Sequence, residues 1–525
     1  MKVKSFLSKG KNIPYEFIEE VKRIVGEKYV SEDERDLISY SVDYWLYGVY
    51  KTQFGEIPAI PSAVVSPKNT EEVQKVVKLA NKYHVQITPF GGGSGVLGAA
   101  IPFNGSIILN IQRMNKFISL DEISQVAAFE SGIIGTNLEK ELNYRGYSSG
   151  NIPQSISCST VGGWVSTRAA GQFSTKYGKI EDMVLGLTAV LPDGEILYIK
   201  PVSRKSTGPS IKHLFLGSEG TMGIITEVYL SVHKTPEKVI KNCFAFDSVE
   251  TALDMVRKIV QTDAKPAVVR IFDKDETERY FGVVSKRGKY QQAFGIAGKI
   301  LTGKVSPKVL NILTESKNKI SFEGMEKLVG KVAVIFISEG DEDFVLLEDR
   351  VINKIAEKYN GISIGEKPVD IWLSKRFDVH LGPTILRNGG IVDTVEVVSL
   401  FKDAPALYKD IIESMSSVKG AVSISGHYSH FYPESACLYI TFAGFPKDQL
   451  KYYEDTWTAA METTLRHNGS ISHHHGIGFL RKPFMKKELG IAGEKLMKDV
   501  ISVVDKNHIF NPGKLVEGKD EKTVK

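Results

Sequence analysis

The stretch Pro89-Phe-Gly-Gly-Gly-Ser-Gly-Val-Leu-Gly-Ala-Ala100 decides how the rest of the chain is read. It follows His84-Val-Gln-Ile-Thr88, an apolar and β-branched run with the pattern of a buried strand. Three successive glycines and a fourth after Ser94 strip the Cβ atoms from one side of the loop. Such a backbone can take positive φ and turn several N–H groups toward one point. A diphosphate suits that surface, which offers several donors and no side chain in the way. Standing alone, a glycine-rich turn after a strand is more often a plain turn.

Two more segments follow in order. One is Ser157-Cys-Ser-Thr-Val-Gly-Gly-Trp-Val-Ser-Thr-Arg-Ala-Ala-Gly171, with Tyr177-Gly178, Glu181-Asp182 and Leu191-Pro-Asp-Gly194 behind it. The other is Leu216-Gly-Ser-Glu-Gly-Thr-Met-Gly-Ile-Ile-Thr-Glu227. From about Ile57 to Val232 this ordered set resembles the PCMH-type flavin-binding domain of the vanillyl-alcohol oxidase flavoprotein superfamily. The resemblance implies FAD. It puts Pro89, Phe90, Gly91, Gly92, Gly93, Ser94, Gly95 and Gly98 of the first loop on the cofactor. From the second segment it adds Ser157, Ser159, Thr160, Gly162, Gly163, Thr167, Ala169, Gly171, Tyr177 and Gly178. The pyrophosphate is expected on the first loop and on Ser159–Gly163. The third segment, with Glu219, Gly220, Gly223 and Ile224, is expected near the flavin ring or the adenosine portion. No strand–Gly-x-Gly-x-x-Gly–helix unit with an acidic residue at the right distance is present, so this is not a Rossmann fingerprint. The glycine loop contains no histidine, cysteine or tyrosine, so FAD is expected to bind there without a covalent link.

At 525 residues the chain is too long for one ordinary domain. Hydrophobic content of 42% and charged content of 25% are those of a soluble globular protein. A formal charge of +5 is small for this length and argues for no nucleic-acid partner. The three cysteines, Cys158, Cys243 and Cys437, are too widely spaced for a metal site or a disulfide framework, and a reducing compartment fits them. The N-terminal Met1–Lys11 is basic without a long apolar core, no run is long enough to span a bilayer, and the charged end 517–525 is expected to fray. A cytoplasmic homodimer is expected, with peripheral membrane contact left open.

The organisation reads as α+β. Residues 1–56 form an N-terminal helical arm and 57–236 a two-subdomain FAD-binding domain. Residues 237–455 form a cap or substrate domain, in which strands such as Val239–Phe246, Val332–Glu339, Val392–Leu400 and Ala436–Ala443 alternate with helices such as Ser248–Thr262 and Asp343–Tyr359. That alternation predicts a ferredoxin-like antiparallel sheet with helices on one face. Residues 281–331 read as a cap insertion or a variable surface loop. Residues 456–525 form a helical segment closing on the flavin.

Two clusters carry titratable groups. Ser472-His-His-His-Gly-Ile-Gly478 puts His473, His474 and His475 on a glycine-flanked turn. Imidazole titrates near neutrality, so one ring can move a proton while another holds an anion or a flavin oxygen. A metal site is the weaker alternative, because adjacent side chains on extended chain point opposite ways; no metal is expected. In Gly426-His-Tyr-Ser-His-Phe-Tyr432 and the strand after it, His427 and His430 precede Tyr439. A tyrosine hydroxyl beside imidazoles can serve as a base if its pKa is lowered, or the ring can be core. Arg270 and Arg387 stand near strand and turn boundaries, where a guanidinium grips phosphate or carboxylate or simply faces solvent.

The histidine turn, with Leu480-Arg-Lys482 after it, is similar to the alkyldihydroxyacetonephosphate synthase family. That resemblance covers about Ile57 to Leu515. It places the histidine triplet on the flavin, Tyr439 as the catalytic tyrosine, Arg387 as the phosphate contact and Arg270 as another active-site arginine, with His427 and His430 near the substrate. It implies a redox-neutral exchange of the acyl chain of acyl-dihydroxyacetone phosphate for a fatty alcohol, with flavin N5 holding the dihydroxyacetone fragment. The D-2-hydroxy-acid dehydrogenases of the D-lactate and glycolate type are the alternative branch. They carry Gly-Glu-His-Gly-Ile-Gly at this turn and His-x-Gly-Asp-Gly-Asn where this chain has His427-Tyr-Ser-His-Phe-Tyr432.

Overall fold

A reciprocal cap starts the first long helix of the flavin-side unit. Asn69 accepts a hydrogen bond from the backbone of Glu72 at 2.9 Å, and the Glu72 carboxylate accepts one from the backbone of Lys68 at 2.9 Å. A cap of this kind is worth about 1 kcal/mol. The helix Thr70–Tyr83 then buries Val73, Val76, Val77 and Ala80 on one stripe and stops at His84, which takes the left-handed conformation. The same apolar cluster includes Phe17, Val21 and Val25 of the helix Tyr15–Val25. In this computed structural model residues 4–5, 13–283, 323–378 and 385–516 are described. Most of the insertion expected at 281–331, the end 517–525 expected to fray and most of the basic N-terminus lie outside them.

By contacts the chain divides into two units. One comprises Met1–Gly171, Tyr177–Thr235 and His474–Lys525, the other Gln172–Lys176 and Pro236–His473. This differs from the expected boundaries in three places, the first being Gln172–Lys176, which leaves the expected FAD-binding stretch for the second unit. The N-terminal arm is part of the first unit, because its helix shares that unit's core and Val30–Ser31 pairs with Ala63–Val65. The helix Gln449–Arg466 stays with the second unit, because it buries Tyr453, Trp457 and Ala460 there and packs on the helix Ala404–Ser416.

Among the described residues the first unit holds two main sheets besides two short two-stranded ones. In the smaller, Ala63–Val65 and Ile87–Phe90 run parallel to a central Ile107–Asn110. Near the C-terminus the chain returns to this sheet: Ile87 donates to the carbonyl of Ile509 and accepts from the backbone of Asn511. The larger sheet is antiparallel, in the order Ile196–Ile199, Val184–Val190, Ile224–Ser231, Val126–Glu130, Phe117–Asp121. It packs Phe129, Leu187 and Val228 against Leu138, Val161 and Trp164 of the helices Gly135–Tyr144 and Val161–Thr167.

The second unit is a seven-stranded antiparallel sheet. Its order is Ile362–Ser363, Lys238–Phe246, Val332–Gly340, Val268–Phe272, Ala421–Phe431, Ser435–Gly444, Ile391–Leu400. Strand alternation sends Asn242 and Tyr428 to the face of the long helices, where they bond Asp349 and the carbonyl of Ala404. The opposite face is not bare, as expected from one layer of helices. Two short helices, Lys274–Phe281 and Lys367–Lys375, cover Val268, Phe272, Ala333, Ile335 and Ile337 there. Both helices are too short for their periodicity to stand out in sequence. The strand Ala421–Phe431 was not expected: His427 and His430 lie inside it, ahead of the strand Ser435–Gly444 that carries Tyr439.

The glycine loop of the first unit sits where no side chain fits. A Cβ on Gly92 would lie 1.8 Å from the carbonyl oxygen of Cys158, and one on Gly91 2.3 Å from Thr160 Oγ1. Two glycine-bearing segments therefore meet backbone to backbone. Gly92→Ala is expected to destabilise the FAD-free protein by about 1–3 kcal/mol, an overpacking cost. Gly95→Ala, whose Cβ would find its nearest neighbour at 3.6 Å, should leave it nearly unchanged. Thermal melts of the two variants side by side check this.

Candidate functional site

In the first unit the close approach of Gly91 and Gly92 to Cys158–Thr160 leaves mainly backbone on offer. The side chains of the second segment are already engaged. Ser159 Oγ donates to Ser155 and accepts from Trp164 Nε1 at 2.7 Å, Thr160 Oγ1 accepts from the backbone of Gly163, and Thr167 Oγ1 donates to the carbonyl of Gly163. Ser157 is exposed. Lys514, fully buried, anchors the far end of the loop: its Nζ donates to the carbonyls of Gly98 and Ile101 and lies 3.6 Å from the ring centre of Phe479.

Glu219 holds the glycine turn after the histidines. Its carboxylate accepts from the backbone of Ile477 at 2.5 Å and of Gly478 at 2.9 Å, and its carbonyl accepts from Asn511 Nδ2. Burial pushes its pKa up to about 7, against the two N–H donors and the Lys514 and Arg481 cations. Gly476 has a φ of +86°, and a Cβ there would sit 2.3 Å from Glu219 Oε1. The residue expected on the cofactor thus works as a clamp, and nothing in a single sequence marks that pairing across 258 positions. His474 and His475, half-buried just before this turn, put their rings 4.7 Å apart edge to face.

FAD fits this unit on one further observation. Asn151 is fully buried, and neither its amide nitrogen nor its amide oxygen has a hydrogen-bond partner among the described residues. An unmet buried amide costs about 1–3 kcal/mol, so a polar group is called for beside it. Asn151 also borders two expected cofactor positions, Gly171, whose Cβ would touch it, and Tyr177, whose ring packs on Gly150. Sequence reading missed Asn151, which has no motif of its own.

In the second unit a single transverse row of the sheet carries the polar side chains. Phe272 pairs with His427, His427 with Tyr439, and Tyr439 with Glu396, so the four share one face. His427 and Tyr439 stack with ring centres 4.8 Å apart and planes 10° from parallel. His427 Nδ1 lies 3.0 Å from both oxygens of Glu276, on the helix Lys274–Phe281, and Arg270 Nη2 lies 3.6 Å from the same carboxylate. Burial and the neighbouring Arg270 cation hold the His427 pKa down to about 4, against the pull of Glu276. Burial opposes ionisation of Glu276 as well, but His427, Arg270 and Arg279 outweigh it and hold that carboxyl below its usual range. The pair therefore stands at neutral pH as carboxylate and neutral imidazole. With Nδ1–H given to Glu276, the lone pair is on Nε2.

A β-bulge between Ser429 and Phe431 brings in a third imidazole. His430 there has a φ of +52°, its Nδ1 is 2.6 Å from Ser174 Oγ, and its ring centre is 5.1 Å from that of His473. His473 Nε2 lies 3.0 Å from Tyr432 Oη, and its backbone N–H donates to Glu396 at 2.6 Å. Of the residues predicted from sequence, the second unit therefore gathers Arg270, His427, His430, Tyr439 and His473. His474 and His475 belong to the first unit, and Arg387, in the second, is exposed at the end of the helical turn 385–387. Glu276, Glu396, Ser174 and Tyr432 were not legible in sequence. The only hint was the Asp273-Lys-Asp-Glu276 helix start, in which Asp273 caps the backbone of Glu276.

Comparison with known proteins places this geometry. Residues 61–200 match the FAD binding domain family, and residues 235–515 match the family of C-terminal domains of FAD linked oxidases. The chain is 30% identical over 518 residues to the alkyldihydroxyacetonephosphate synthase of Dictyostelium discoideum, covering 95% of this chain and 80% of that one. It is 27% identical over 508 residues to a D-lactate dehydrogenase of Anaerostipes hadrus, covering 95% and 97%. A solved alkyldihydroxyacetonephosphate synthase structure superposes with a TM-score of 0.75 at 27% identity, covering 97% of this chain and 86% of that one. No described helix is long and apolar enough to cross a membrane. With both domains of an FAD-linked flavoenzyme matched and a synthase relative 30% identical over 95% of this chain, the chain belongs to the alkyldihydroxyacetonephosphate synthase family of FAD-dependent enzymes.

Proposed function

We propose that this enzyme replaces the acyl chain of acyl-dihydroxyacetone phosphate with a fatty alcohol. The observation that carries the reading is the cluster of buried Glu276 and His427 with half-buried Tyr439, beside Arg270. It joins a neutral base to a phenol and a cation, the set needed to take a proton from the carbon next to a ketone and to steady the developing enolate. Support also comes from the relative in Dictyostelium discoideum that bears the synthase name.

In this reading the backbones of Gly91–Gly95 and Cys158–Gly163, with Asn151, hold FAD without a covalent bond. FAD, when bound, supplies an electron store and a reactive ring nitrogen. Arg270 and Arg387 meet the phosphate. Tyr439, its ring fixed by the stacked His427, gives its phenolic proton to the open Nε2 of His427 and as phenolate takes the proton from the substrate carbon, and the acyl chain leaves as a carboxylate. The alcohol takes its place and the proton returns to carbon, so the sum is acyl compound plus alcohol to alkyl compound plus fatty acid, with no net oxidation. Keeping Glu276 charged keeps Nδ1 protonated and Nε2 open. A second reading, an FAD-dependent dehydrogenase of a 2-hydroxy acid, draws on the D-lactate dehydrogenase relative and on the same base taking a hydroxyl proton.

Purified yellow protein given labelled acyl-dihydroxyacetone phosphate and hexadecanol is expected to exchange the chain without bleaching its flavin. Bleaching on anaerobic mixing with D-lactate or glycolate, with no exchange, would move the assignment to the dehydrogenase. Tyr439→Phe should lower kcat by about 100-fold or more, with a small change in KM, the size of a lost general base. The pH dependence of kcat/KM gives a third check. Because Arg270 depresses the His427 pKa, the acid limb of the wild type should fall near pH 4. In Arg270→Met it should move up toward the ordinary imidazole range. An unmoved limb would show that His427 is not the titrating group.

A further inference from the structure

One cation of the second unit is left over by the site just described. Arg376 follows the helix Lys367–Lys375, and its guanidinium packs over three aromatic rings: 5.4 Å from the centre of Phe173, 5.7 Å from Trp372 and 4.7 Å from Phe377. Its Nε and Nη1 are buried, and neither has a hydrogen-bond partner among the described residues. Stacking satisfies the face of a guanidinium but none of its N–H groups. Two such donors withdrawn from water without acceptors are costly, and a bound water, ion or ligand group is what would meet them.

Arg376 does not stand alone. The Nε of Arg270 is buried and unpartnered in the same way. A run of rings links the two cations: Arg270 lies 4.9 Å from the centre of Phe272, Phe272 is 5.3 Å from Tyr280, and the Tyr280 hydroxyl reaches the carbonyl of Trp372 at 3.4 Å. Gln172, next to Phe173 in the chain, keeps a buried and unpartnered Oε1. Two guanidiniums with spare donors and one amide with a spare acceptor suit a group that is anionic and also carries a hydroxyl. Arg387, by contrast, is exposed.

We propose that Arg376 is a substrate-binding residue that, with Arg270, grips the phosphomonoester end of a three-carbon substrate. This rests on the phosphate-bearing substrate assigned above. Planar guanidinium suits this grip because paired N–H groups match two phosphate oxygens, whereas an ammonium offers a point charge.

The test is calorimetric titration of the full-length holoenzyme with glycerol 3-phosphate, inorganic phosphate and D-lactate. The wild type is expected to bind glycerol 3-phosphate. Arg376→Met should weaken it at least 10-fold with the flavin content intact, Arg376→Lys should recover part of the loss, and Arg350→Met, at an exposed position of the helix Glu342–Lys358, should change it less than 2-fold. Should Arg376→Met not fold, a loss of at least 3-fold in Arg376→Lys supports the assignment and an unchanged affinity overturns it. Equal binding by wild type and Arg376→Met, no binding of phosphate esters by the wild type, or a loss confined to D-lactate would also overturn it. The two readings separate cleanly. Acyl–alkyl exchange in a wild type whose KM survives Arg376→Met refutes only this residue's role. Phosphate binding that depends on Arg376, in a protein that performs no exchange, refutes only the reaction.

Discussion

A carboxylate taken out of water has to be matched charge for charge, and in the second unit that constraint falls on Glu276. Its side chain is almost wholly enclosed, with His427, Arg270 and Arg279 around it. One partner is a neutral imidazole, so the guanidiniums carry the electrostatic compensation while the imidazole supplies direction. That division fixes the tautomer of His427, and through the stacked ring it fixes the face that Tyr439 presents. The helix Lys274–Phe281 exists at that place for the same reason. Asp273 caps it, and also accepts from the backbone of Gly426 on the strand beside it, so the carboxylate-bearing helix is tied to the strand that carries its imidazole.

The first unit meets a different demand by a different means. Where a dinucleotide must lie against main chain, side chains are a nuisance, and this unit spends its serine and threonine hydroxyls within their own segment. What is left toward the loop is peptide. The anchoring charges, Lys514 and Glu219, are buried and bind carbonyls and N–H groups of the loop and of the histidine turn. They set backbone shape from behind.

Much of this could be read from the sequence, and the failures share a cause. The helix Thr70–Tyr83 announced itself through Asn69 and Glu72, and the flavin fold through three ordered glycine segments. The strand Ala421–Phe431 was missed because Ser423, Ser425, Gly426, His427 and Ser429 have turn chemistry; pairing with a neighbour on each side overrides that local preference. Glu276 is 151 residues from the imidazole it serves, and Glu219 is 258 residues from the turn it clamps. No periodicity or spacing rule reaches that far. Arg387 stood out because it sits in a recognisable turn, whereas Arg376 lies in an unremarkable helix end and declares itself only through what surrounds it.

The bulge at Ser429–Phe431 has a consequence for how such a chain can diverge. An extra residue in a strand shifts the pleat by one step, so side chains beyond it exchange inside for outside. Substitutions along Ala421–Phe431 leave that phase alone, but gaining or losing one residue would rotate every position past the defect. Point changes along this strand can therefore alter the groups of the histidine row one at a time, whereas a change in its length would move them together.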